Sequence, residues 1–103
     1  MSRKLYTIAE IKKSIQPVAE RYGVERVLLF GSYARGNARP GSDIDFRIDS
    51  GAICGFFMLA GFHRELEEAL GTHVDVLTTG ALDDQFLSRI KKEEVLLYER
   101  PRQ

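Results

Sequence analysis

From Asp43 to Ile48 the chain reads Asp-Ile-Asp-Phe-Arg-Ile, a charged residue and then a large apolar one, three times over. Successive side chains of a strand leave on opposite faces. Ile44, Phe46 and Ile48 therefore point one way, and Asp43, Asp45 and Arg47 the other. Such a strand needs a sheet with one face packed under apolar cover and the other carrying charge.

The segments around it supply that sheet. Val27-Leu28-Leu29-Phe30 is apolar without alternation and ends at Gly31-Ser32, the pattern of a strand buried on both faces. Val74, Val76 and Thr78 outline a third strand with Asp75 and Leu77 on its opposite face, and Val95 to Tyr98 adds a short edge strand. Helical patterns lie between. Thr7 is a candidate N-cap with Glu10 as its capping-box partner, and Ile8, Ile11, Ile15, Val18 and Tyr22 recur at helical spacing until Gly23. Pro17 is expected to kink or split this helix, since proline lacks an interior donor. A second helix is predicted from about Ala52 to Leu70, with Gly71 at its end and its first half weakened by Gly55 and Gly61. Asp83 or Asp84 could cap a last helix running to about Lys92. Residues 33–42 read as a short turn and loop. The order predicts an α/β (α+β) fold with helices packed on a mixed sheet, in one domain over residues 1–103 with its motif core at 26–78.

A chain of 103 residues can bury one modest core. Fifteen basic residues balance fifteen acidic ones, whereas proteins that track a phosphate backbone usually carry a basic excess. A nucleic-acid substrate is thus not favoured. The one cysteine, Cys54, excludes an internal disulfide and is read as a small buried hydrophobe in a reducing compartment. No apolar run approaches the roughly 20 residues needed to cross a bilayer, and the first residues carry no signal-peptide core. The expected location is the cytoplasm.

The charged face carries the chemistry. Asp43 and Asp45 leave the same side of a strand with Cα atoms roughly 6.5 to 7 Å apart. Two carboxylates drawn together need a cation, a shared proton or good solvation. Hard oxygen ligands suit magnesium, which keeps waters and takes phosphate oxygens as further ligands. Asp75, flanked by Val74 and Val76, adds a third carboxylate at a height fixed by its buried neighbours. Gly31, without a Cβ, lets a phosphate approach the backbone. If Ser32 begins a short helix to about Arg35, its amides face the anion and its hydroxyl can donate to a phosphate oxygen. Three aspartates from two strands beside such a turn form a divalent-metal site for a nucleoside triphosphate. Taken singly, an Asp-x-Asp is usually a solvated face and a Gly-Ser only a turn; the combination is what carries the assignment.

Gly-Ser, ten intervening residues, Asp-x-Asp, and a later aspartate in His73-Val-Asp-Val-Leu77 resemble the nucleotidyltransferase superfamily related to DNA polymerase β, in its minimal (MNT) branch. The resemblance spans roughly residues 8 to 99 and implies Asp43, Asp45 and Asp75 as magnesium ligands. Asp75 would be a ligand or help deprotonate the attacking hydroxyl. It implies that Gly31 and Ser32, with Arg35 and Ser42, bind the triphosphate; Arg35 either reaches a phosphate or braces the loop. No motif position is substituted. The implied reaction is attack by a hydroxyl on the α-phosphate of ATP with release of pyrophosphate. From its length, the chain is expected to draw its acceptor site from another subunit or from the acceptor itself. The MNT resemblance implies a HEPN-domain toxin as that partner, AMP passing to a tyrosine and the chain acting as antitoxin. Two alternatives stay open: a non-catalytic antitoxin that binds nucleotide and occludes its partner, and nucleotidyl transfer to a small molecule such as an aminoglycoside.

Other residues read more plainly. His63 and His73 lack ligand-like partners nearby in sequence. Tyr33 either packs or touches the base or acceptor. Lys91, Lys92, Glu93 and Glu94 read as a solvated surface. Phe56, Phe57, Met58 and Leu59 exceed what one helix face can bury, so part of this segment is expected to meet a partner or a second copy, in a hetero- or homo-oligomer.

Overall fold

The computed structural model describes residues 4–101. Helix α1 spans Ile8–Tyr22. Thr7 caps it, its hydroxyl accepting from the Glu10 amide at 3.0 Å while Glu10 Oε1 accepts from the Thr7 amide at 2.8 Å. The helix is not split at Pro17. Pro17 and Lys13, whose carbonyl loses its usual partner, both lie on the exposed side, where water can satisfy that carbonyl. Gly23 ends the helix at φ 67°, its amide bonded to the Ala19 and Glu20 carbonyls.

Four strands follow: β1 Arg26–Phe30, β2 Ile44–Asp49, β3 Val74–Thr78 and β4 Val95–Glu99. Their spatial order is β3-β2-β1-β4. β1 runs antiparallel to both β2 and β4, while β2 and β3 are parallel. The sheet is therefore mixed, and β4 is the edge strand its sequence suggested. The parallel pair needs a crossover, which helix α3, Gly55–Leu70, provides.

α3 starts three residues later than its periodicity suggested. Ala52 and Ile53 are tied into a turn, their amides bonded to the carbonyls of Gly23 at 2.9 Å and Ser50 at 3.0 Å. Gly55 holds φ 80°, which also bars helix before it. Ile53 turns into the core, so Cys54 is left outside at the N-cap. The expectation of a buried cysteine is corrected accordingly. Phe56 and Phe57 are 77% and 90% exposed, and Met58 is also exposed, so the excess apolar surface of this segment does lie outside.

The core lies on one side of the sheet. Ile11, Ile15 and Val18 of α1 and Phe62, Leu66 and Leu70 of α3 pack on Val27, Leu29, Ile44, Phe46, Ile48 and Val74. The two helices meet edge to face through Tyr22 and Phe62, with ring centroids 5.5 Å apart, and through the Arg21–Glu65 ion pair. Tyr33 is buried in the same cluster, with its hydroxyl near the Tyr6 amide at 3.5 Å. Its role is packing. On the other face a shorter helix, α4, Asp84–Lys91, capped by the Asp83 carboxylate, stands beside the end of β1. Phe86 of α4 stands edge-on to Phe30, with centroids 6.2 Å apart. No helix among the described residues is long and apolar enough to cross a membrane.

Candidate active site

The site is built where β1, β2 and β3 present their second face. Phe30 ends β1, and the chain turns through Gly31 into α2, the single helical turn Ser32–Arg35. Gly31 adopts φ 78° and ψ −156°, open essentially to glycine alone. A Cβ there would collide with Asp45 Oδ2. The glycine is therefore required twice, by its conformation and by the carboxylate lying against its backbone.

Asp45 lies opposite Phe30 on the antiparallel side and opposite Asp75 on the parallel side. This register brings two of the three expected aspartates together. Burial, then the Asp75 carboxyl and the charge of Asp43, push the Asp45 carboxyl up to about 6, with the Arg35 guanidinium opposing them. Asp43 immediately precedes β2 and is exposed, as is Asp75.

A cleft of about 560 Å³ opens beside this face, lined among others by Gly31, Ser32, Arg35, Ser42, Asp43 and Asp45. That volume is ordinary for a small-molecule site. Asp75 stands outside the lining. Ser42 closes the loop after α2: its hydroxyl accepts from the Arg39 amide at 2.9 Å and its own amide bonds the Arg39 carbonyl at 2.8 Å.

The far wall of the cleft comes from α4 and the residues after it: Phe86, Arg89, Ile90 and Glu93. Here the expectation of a solvated Lys91–Glu94 surface is corrected. Lys91 and Lys92 are exposed. Glu93, however, accepts from the Gly31 amide at 2.7 Å and from Arg35 Nη1 at 3.0 Å, both on Oε2. Glu94 binds Arg47 through two bonds, Nε at 3.0 Å and Nη2 at 2.6 Å. Arg47 is only 5% exposed and also donates to the Thr79 hydroxyl at 2.7 Å. These acids are separated from their partners by 58 to 62 and 47 positions, so no local pattern announces them. The one available signal was Arg47 itself, a cation on the semi-covered face of a strand that must find a counter-charge.

The histidines find each other in space. His63 Nε2 lies 2.7 Å from the Val74 carbonyl and His73 Nδ1 lies 3.2 Å from it, with Glu67 Oε2 at 3.6 and 3.4 Å. They brace the start of β3 outside the cleft.

The donor set suits a hard dication. It consists of carboxylate oxygens, and like-charge crowding at Asp45 is what a cation relieves. Among the described residues no three histidine, cysteine or acidic side chains already close around one point. The Asp75 carboxyl already meets that of Asp45, and the charge of Asp43, exposed just before β2, acts on the same group.

A family model described as "Polymerase beta, Nucleotidyltransferase" matches residues 13–103. The chain belongs to that family. This nucleotidyltransferase is 41% identical over 88 residues to a Methanocaldococcus jannaschii protein provisionally named a protein adenylyltransferase, covering 85% of this chain and 95% of that one. It is 30% identical over 95 residues to the protein adenylyltransferase MntA of Thermococcus cleftensis, covering 88% and 96%. Its fold matches a chain of the Shewanella oneidensis complex between a tri-AMPylated HEPN toxin and an MNT antitoxin, with TM-score 0.70, 16% identity, and coverage of 91% of this chain and 74% of that chain.

Proposed function

We propose that this nucleotidyltransferase moves AMP from magnesium-bound ATP to a tyrosine hydroxyl of a HEPN-domain toxin in the cytoplasm, and so acts as its antitoxin. The observation that carries the reading is the register of Asp45 against Asp75 beside the Gly31 turn, which sets carboxylates and backbone amides on one wall. The named activities of the relatives supply the AMP and the protein acceptor.

In this reading Asp43 and Asp45 would hold magnesium, with Asp75 either a further ligand or the group that helps deprotonate the attacking hydroxyl. The ion supplies positive charge against the triphosphate oxygens as negative charge shifts during transfer. Gly31 and Ser32, with Arg35 and Ser42, bind and orient the triphosphate, and α4 closes the cleft from the far side. The acceptor oxygen forms a bond to the α-phosphorus while the bond to the pyrophosphate oxygen breaks. Where Asp75, exposed and outside the cleft lining, is not a ligand, its carboxylate takes the tyrosine proton. Positioning accounts for most of the acceleration. The exposed Phe56 and Phe57 offer the partner an apolar contact.

The test is incubation of the protein with magnesium, α-³²P-ATP and a lysate of the source cells, with Asp43→Asn/Asp45→Asn as control. Label on one protein band, dependent on both aspartates and removable as AMP from tyrosine, is expected. Label appearing only on small molecules would overturn the protein acceptor. The second reading, an antitoxin that binds nucleotide without transferring it and occludes its partner, draws on the exposed apolar Phe56 and Phe57. Full neutralisation of the partner by the double variant, without any label transfer by the parent protein, would establish it.

A further inference from the structure

Glu93 is the acidic residue of the cleft for which the transfer reaction has no use, and it sits where an anion should. Its Oε2 receives the Gly31 amide at 2.7 Å and Arg35 Nη1 at 3.0 Å. One oxygen bound by a glycine amide and a guanidinium is the arrangement a phosphate oxygen would take at this turn. The placement is built in from behind. Glu93 lies between the end of α4 and the start of β4; its amide bonds the Ile90 carbonyl at 3.0 Å, and Val95 pairs with Leu29 two residues on. The neighbouring Glu94 is anchored to buried Arg47. The backbone is thus held, while the Glu93 side chain remains a quarter exposed and its partner Arg35 about half exposed. The carboxylate has solvent to swing into.

We propose that Glu93 occupies the phosphate position of the nucleotide site from within the chain, and that a triphosphate enters by displacing it. The inference rests on the nucleotide-binding reading given above. Two anions cannot share the Gly31 amide and Arg35: the entering phosphate must take both donors, and the Glu93 charge resists it until the side chain swings away. Glu93 thereby sets the affinity for nucleotide and keeps the glycine turn and Arg35 formed while the cleft is empty.

The experiment is calorimetric titration of ATP into the wild type, Glu93→Gln, Glu93→Asp and Glu94→Gln, once with EDTA and once with magnesium, alongside thermal unfolding of each. Glu93→Gln removes the charge but keeps an amide oxygen that can still accept, and is expected to bind ATP roughly threefold to tenfold tighter under both conditions, the scale of one ordinary net hydrogen bond in competition. Glu93→Asp, drawn back by one methylene, should fall between it and the wild type. Glu94→Gln should lower the unfolding temperature without tightening ATP, separating displacement from general loosening of the segment. Equal or weaker ATP binding by Glu93→Gln in EDTA, with the wild type binding, overturns the Glu93 inference alone. Weakening confined to the magnesium titration overturns it in favour of Glu93 as a metal ligand. No binding by any of the proteins overturns both this inference and the nucleotide reading.

Discussion

The two faces of the sheet are made by alternate residues of the same strands, yet they are built on opposite principles. On the α1–α3 side, Val27, Leu29, Ile44, Phe46, Ile48 and Val74 are completely buried. On the α4 side Asp75 is exposed and Asp45 half-buried, while Arg47 and the Gly31 turn are covered, and the charged groups are tied to residues far away in sequence. Burial on the first face supplies the stability. It also fixes the height of each residue on the second, because a strand whose Ile44 and Phe46 are locked in place cannot slip. One face tolerates no polarity, and the other keeps like charges close at a cost the first face offsets.

The contrast can be broken most forcefully from the apolar side. Phe46→Ala should destabilise the fold by about 3 to 5 kcal/mol, the usual range for a fully buried phenylalanine, measured by denaturant unfolding. A loss under 1 kcal/mol would mean that the α1–α3 face is not the stabilising one.

The charged face has its own internal support, the pair between Arg47 and Glu94, both nearly covered. Arg47→Ala leaves Glu94 without its partner and should cost about 3 kcal/mol or more, whereas Arg47→Met with Glu94→Leu should recover most of that loss. Failure of the double change to recover stability would show that Arg47 acts through Thr79 and Asp49 instead.

A smaller effect sharpens the electrostatic half. In metal-free protein the Asp45 carboxyl titrates at about 6, above its ordinary 3.8. The folded state therefore holds this proton more tightly than the unfolded one. Its contribution is fully present below the unfolded value and is lost as pH rises through about 6. In EDTA, Asp45→Asn should match the wild type near pH 4 and become the more stable of the two by pH 7. Magnesium should narrow that gap at pH 7. A difference between the two proteins that stays flat with pH would contradict the crowding at Asp45.

Much of this was legible from the chain. The capping box, the run of Val27 to Phe30 and the alternation around Phe46 are local patterns with local causes, and they placed α1, β1 and β2. The third strand and its aspartate followed from valines flanking a single acid. The start of α3 was misplaced because Ala52 and Ile53 answer to Gly23 and Ser50 through backbone hydrogen bonds, which side-chain periodicity does not register. Cys54 was misread with it. The far wall of the cleft was missed for a different reason. Glu93 and Glu94 look like surface because two lysines precede them, and their partners are brought to them only by the pairing of β4 with β1.

The central claim is that the charged face performs transfer while the apolar face holds the fold, and one paired measurement on Asp43→Asn/Asp45→Asn tests it. Transfer of α-³²P label from magnesium-ATP to the partner and thermal unfolding at pH 7 are read on the same preparation, beside the wild type. The predicted result is a fall in transfer on the order of a thousandfold, the several kcal/mol that metal-held charge supplies, with the unfolding temperature unchanged or raised. Transfer that survives the double change would contradict the account.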